Sequence, residues 1–176
     1  MTASEPTPPI ASPSPAAPLA SQLAANPCSH PSFDQFVATI AALRAPDGCP
    51  WDRTQTHQSI AHNMIEEAYE AVDAIEAADV AHLREELGDV LMQVAFHAQI
   101  EAERGRFTMA NVVDGVARKL VYRHPHVFGD VQADTSQQVL ANWDVLKRRE
   151  KGQRSTADAV EAVPHTLPAL WRAEKI

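Results

Sequence analysis

At 176 residues the chain is long enough for one domain with a sizeable core. Its net charge of −8, with no basic tail or stripe, excludes non-specific duplex nucleic-acid binding, which relies on clustered Lys and Arg to neutralise phosphates. No segment approaches the roughly 20 continuous apolar residues of a membrane span, and no Lys or Arg precedes Arg44 as a signal peptide would require, so a soluble cytoplasmic protein is expected.

Residues 1–31 hold eight of the thirteen prolines and a single charged side chain, Glu5. Such a stretch buries too little surface to offset chain entropy, so it reads as a disordered tail. Ser32 then caps a first helix carrying Phe33, Phe36, Val37, Ile40 and Leu43 at helical spacing, which ends before Pro46. A tight loop follows, Asp47-Gly48-Cys49-Pro50-Trp51-Asp52. Cys28 and Cys49 lack CxxC spacing and read as free thiols. A second helix is predicted from about Thr56 to Ala78, and a third from about Val80 to Arg104 with Gly105 as its left-handed stop. The apolar stripe of the third is broad (Leu83, Leu87, Val90, Leu91, Val94, Phe96, Ile100), which predicts burial on more than one side and a bundle in which two copies share faces. Thr108 caps a fourth helix that stops before Pro125; a loop with Phe128 and Gly129 follows. Ser136 opens a fifth through Val139, Leu140, Trp143 and Leu146, and Leu167–Ile176 reads as the start of another, cut short. No alternating strand pattern occurs, so the expected fold class is all-α, a helix bundle over 32–152, with 153–176 as a linker and truncated helix.

Two acidic clusters carry the chemistry. Glu66-Glu67-Ala68-Tyr69-Glu70 lies in the second helix and Glu86-Leu87-Gly88-Asp89 in the third. Glu67 with Glu70, and Glu86 with Asp89, are three apart, a rotation of about 300° that sends both members of each pair to nearly one face. Like charges that close destabilise a helix unless a cation offsets them. An all-carboxylate donor set suits Mg²⁺ or Mn²⁺ and phosphate chemistry, whereas a di-iron site would need Glu-x-x-His on two helices, which is absent. Phosphate chemistry also calls for cations. Lys119 and Arg123 are four apart on the fourth helix, and Trp143 and Lys147 four apart on the fifth, where a Trp beside a Lys could stack a base while the cation meets a phosphate. Glu76, Glu101 and Glu103 read as solvated surface, and His57, His62, His82 and His97 as surface or structural histidines.

Gly48-Cys49-Pro50-Trp51-Asp52, Gln55-Thr56-His57, the two acidic clusters and Arg123-His124-Pro125-His126-Val127-Phe128 together resemble the MazG family of all-α nucleoside triphosphate pyrophosphohydrolases, over roughly residues 33 to 176 and most closely the first unit of its two-unit members. The resemblance implies that 32–152 is a catalytic domain, that Mg²⁺ supports hydrolysis of (d)NTPs to monophosphate and pyrophosphate, and that the protein is a homodimer or higher oligomer. It implies Glu67, Glu70, Glu86 and Asp89 as metal ligands, Glu66 and Glu67 as catalytic, with Glu66 holding a further ion or orienting the attacking water, and Lys119, Arg123, Trp143 and Lys147 as nucleotide-binding. Clearance of aberrant nucleotides is the expected role. The alternative is an inactive half of a duplicated enzyme, serving as a dimerisation or docking module.

Overall fold

The computed structural model describes residues 32–153 and 155–175; the expected disordered tail and Cys28 lie outside the described residues. Among these the fold is all-α, as its periodicities predict, with no strand. The chain divides into two compact units, up to Met109 and from Ala110 onward.

The first unit holds α1 (Phe33–Arg44), a 3₁₀ turn (Asp52–Thr54), α2 (His57–Glu76) and α3 (Val80–Glu103). Each start has a local cause. Ser32 caps α1 and Thr56 caps α2, in both cases with a reciprocal bond from the third helical residue, Gln35 and Ser59. Asp79 caps α3 through the amides of Ala81 and His82. α3 stops as predicted at Gly105, whose φ is +66° and whose neighbours close the Schellman pattern, Arg106 N–H to Glu101 C=O and Gly105 N–H to Ala102 C=O. The α2–α3 turn uses the same pattern with an alanine, Ala78 at φ +52°.

The α2–α3 turn is tight, so the two helices run antiparallel, and α1 packs across α3. The core is Ile40, Ile60, Ala95, Phe96 and Ile100, flanked by Phe36, Leu43 and Met92. Burial of each large side chain is worth about 1.5–3 kcal/mol. The predicted burial of α3 on more than one side holds for only part of its length. Its later half is buried, whereas Leu87 and Leu91 are exposed, as are Ile65, Tyr69, Val72 and Ile75 on α2. The core-forming side chains of α1 meet α3 beyond Met92, which leaves this apolar row uncovered within the unit.

The Gly48–Asp52 loop is tied down from α1. Arg44 is buried and forks onto Glu103 (Nε–Oε1 2.8 Å, Nη2–Oε2 2.9 Å), while its Nη1 donates to the carbonyls of Asp52 and Gln55. Gly48 is required by contact: a Cβ there would lie 2.3 and 2.5 Å from the carbonyl oxygens of Ala42 and Leu43. Cys49 is a free thiol.

The second unit takes in α4 (Met109–Arg123) after its first residue, then α5 (Pro125–Phe128), α6 (Ser136–Glu150), α7 (Thr156–Glu161) and α8 (Ala169–Lys175). The predicted loop around Phe128 is a helical turn up to that residue, opened by Pro125 at a position where a missing N–H costs nothing. Thr135, rather than Ser136, caps α6. The span read as a linker contains α7, capped by Ser155. Among the described residues no helix is long and apolar enough to cross a membrane.

Candidate functional site

Antiparallel pairing of α2 and α3 sets Glu67 and Glu70 against Glu86. One carboxylate oxygen from each lies within 4.8 Å of the others. Glu86 is buried, Glu67 half-buried and Glu70 exposed. Burial raises the pKa of Glu67 above 4.5, and the charges of Asp89, Glu70 and, least, Glu66 push it further, against a counteracting hydrogen bond from Gln93. Glu86 is also raised, first by burial, then by Glu70, with His82 pulling the other way and Asp89 adding a smaller push. His82 Nε2 sits 2.9 Å from Glu86 Oε1, while Glu86 Oε2 is buried with no hydrogen-bond partner among the described residues. The four predicted metal ligands therefore divide. Three converge, and Asp89 stands outside the trio but within electrostatic reach of Glu67 and Glu86. Glu66 is exposed on the same helix. Mutually repelling carboxylates, an orphaned buried oxygen and an all-oxygen donor set together fit a hard divalent cation.

A second polar cluster has no signature in the sequence, because its members are forty residues apart. His57 at the start of α2 meets His97 and Glu101 near the end of α3: Nδ1 to Nδ1 is 2.7 Å, and Nε2 to Glu101 Oε1 is 2.5 Å. The rings stack at 5.0 Å, 11° from parallel. Arg104 and Arg106 also bind Glu101. Glu101, expected on the solvated surface, is thus buried and bonded on several sides, and Glu103 pairs with Arg44. Hydrogen bonding to His57 holds the Glu101 carboxyl below 4.5 despite burial, with Arg106 assisting, and burial followed by the charge of His57 holds His97 below 6.5.

Acid should therefore loosen this end of the bundle. A depressed His97 means the unfolded chain takes up its proton first, so its contribution is intact above pH 6.5 and shrinks as pH falls below it. The Glu101 contribution is present above pH 4.5 and lost as pH falls through its lower folded value. Glu67 and Glu86, shifted upward, act in the opposite sense. Thermal midpoints by circular dichroism across this range should fall in two steps in wild type, and His97→Asn should lack the upper one. Because Glu67 and Glu86 oppose it, the deciding quantity is the difference between wild type and His97→Asn: the same pH dependence in both would remove His97 from that role.

The predicted nucleotide-binding set belongs to the second unit. Arg123 is buried, bonded to Glu150 (Nε–Oε2 2.9 Å, Nη2–Oε2 2.8 Å), and lies over the Trp143 ring at 4.9 Å. Lys147 Nζ lies 5.0 Å from the same ring. Lys119 is exposed and lines an open cleft of about 500 Å³ with Gly115, Arg118, Tyr122, Arg149 and Glu150. The arrangement offers an aromatic face flanked by cations, with Arg123 already held by a carboxylate.

Residues 55–128 match the MazG nucleotide pyrophosphohydrolase domain. The chain carries a MazG domain over these residues. The match takes in both acidic clusters, Lys119 and Arg123; Trp143 and Lys147 lie beyond it. Over 145 residues the chain is 45% identical to the nucleoside triphosphate pyrophosphohydrolase of Escherichia coli, covering 82% of this chain and 55% of that protein. It is 44% identical over 144 residues to the nucleoside triphosphate pyrophosphohydrolase/pyrophosphatase MazG of Thermotoga maritima (82% and 54%), and 50% identical over 144 residues to the uncharacterized protein YabN of Bacillus subtilis (82% and 29%). The chain thus spans about half, or less, of the length of these relatives. The crystal structure of a mazG-related protein from Thermotoga maritima superposes with a TM-score of 0.53 at 22% identity, covering 65% of this chain and 98% of that one, which establishes a shared fold.

Proposed function

We propose that this chain, through its MazG domain, hydrolyses nucleoside triphosphates, dNTPs or NTPs, to monophosphate and pyrophosphate with Mg²⁺ or Mn²⁺. The convergence of Glu67, Glu70 and Glu86 around a buried, unpartnered Glu86 oxygen is the observation that carries it. These three would hold the cation, with Asp89 beside them. A divalent cation bound there supplies charge neutralisation for the triphosphate and a lowered pKa for water. The Glu66 carboxylate, exposed one residue before Glu67, accepts a hydrogen bond from the attacking water and orients it, or holds a further ion. The water oxygen bonds to the α-phosphorus and gives up a proton to the surrounding solvent, the bond from that phosphorus to the bridging oxygen breaks, and pyrophosphate leaves with the electron pair. On the second unit, Lys119, Arg123, Trp143 and Lys147 would bind nucleotide, the Trp143 ring offering a stacking face flanked by Arg123 and Lys147.

The exposed row Ile65, Tyr69, Val72, Ile75, Leu87 and Leu91 supports a homodimer or higher oligomer formed over this face. Removal of aberrant nucleotides in the cytoplasm fits the reaction. The test is an assay of the purified chain with a panel of dNTPs and NTPs that resolves pyrophosphate from phosphate, run beside light scattering. Divalent-cation-dependent pyrophosphate release from an oligomer is the expected result. A folded protein without turnover would sink the catalytic reading, and a monomeric mass would sink the shared-face reading.

A further inference from the structure

Resting on the carboxylate site proposed above, a further assignment concerns two neighbours of that site. Glu86 and Glu67 are each held on one oxygen by a side chain outside the trio. His82 lies one turn before Glu86 on α3 and contacts Oε1 at 2.9 Å, leaving the buried Oε2 unpartnered. Gln93 lies on the same face of α3, seven residues after Glu86 and four after Asp89. It is buried, and its amide Nε2 donates to Glu67 Oε1 at 3.5 Å, the outer limit of a hydrogen bond. A carboxylate with one oxygen engaged turns less freely, which favours one direction for the other oxygen. Without the restraint the side chain can turn away from its like-charged neighbours.

We propose that His82 and Gln93 are positioning residues that orient Glu86 and Glu67 for a divalent cation. The His82 side chain is 45% exposed, so water can take over part of its contact with the buried Glu86 when it is removed. Loss of an outer partner of a metal ligand typically weakens metal affinity about 10–100-fold, an effect that a role confined to the fold would not produce.

The measurement is Mn²⁺ binding to the intact chain by titration calorimetry at one fixed pH, with the ion-free thermal midpoint recorded alongside. His82→Ala should weaken Mn²⁺ affinity about tenfold with little change in midpoint, and His82→Gln, which restores an N–H donor, should recover most of it. Gln93→Leu, similar in volume and apolar, should keep the fold and weaken affinity to a comparable degree. Affinities within twofold of wild type in folded His82→Ala and Gln93→Leu would overturn the assignment. A loss beyond about a hundredfold that His82→Gln does not restore would overturn it differently, making His82 a ligand. Wild-type protein that binds no Mn²⁺ would remove the carboxylate site itself, and this assignment with it.

Discussion

Replacing Glu67 by Gln is expected to slow pyrophosphate release about a thousandfold, or ~4 kcal/mol of transition-state stabilisation, and yet to leave the fold intact with a raised ion-free melting temperature. The two effects have one cause. Glu67 is disfavoured as a carboxylate in the fold, by burial first and then by Asp89, Glu70 and Glu66. A neutral amide of the same shape removes that repulsion but gives up a charged ligand. The stability gain should be present at neutral pH, where the wild-type group is ionised, and should vanish in acid, where wild type is protonated at this position and the repulsion is relieved anyway. A second readout separates the roles. Mg²⁺ should raise the wild-type midpoint by mass action and have little effect on the variant. Unchanged turnover would dismiss Glu67 from the site. A variant that loses both activity and helical signal would show a structural role, and Glu70→Gln, altering an exposed member of the same trio, would then carry the test.

The helices of this protein are legible in its sequence because their ends are local events. Ser32, Thr56 and Gly105 act on amides and carbonyls within five residues, and a periodic stripe needs no knowledge of its partner. The acidic trio was half legible. Spacing of three within a helix identifies Glu67 with Glu70 and Glu86 with Asp89, but the register between helices decides which of the four converge, and it selects Glu86 over Asp89. Contacts across a large sequence gap were not legible at all. Nothing local distinguishes Glu101, buried under His57, from a solvated glutamate, and nothing local links Arg44 to Glu103. The Gly48–Asp52 loop shows the difference. Its residues are conspicuous as a motif, yet the reason for its shape, an arginine threaded from α1 to its carbonyls, lies outside it.

That arginine carries the largest expected effect on folding. Arg44→Met should destabilise the protein by about 2–3 kcal/mol. The guanidinium makes two bonds to Glu103 and two to the carbonyls of Asp52 and Gln55, and methionine replaces its volume but none of its donors. The full penalty for breaking a buried pair does not apply, since the Glu103 side chain is 37% exposed and water can take over part of its solvation. For a unit of this size the loss corresponds to a fall in midpoint of about 10–20 °C. Arg44→Lys should recover only a fraction, because an ammonium cannot grip Glu103 in bidentate fashion while reaching both carbonyls. The loosening should be local at first: hydrogen exchange should accelerate through the loop and the first turn of α2, and less so at Glu67, ten residues and about 15 Å along that helix. Below its midpoint Arg44→Met should therefore still bind Mn²⁺ as wild type does. A midpoint within a degree or so of wild type would mean that water or a neighbouring donor replaces the guanidinium at no cost, and that the loop is held by Gly48 and its own backbone bonds instead.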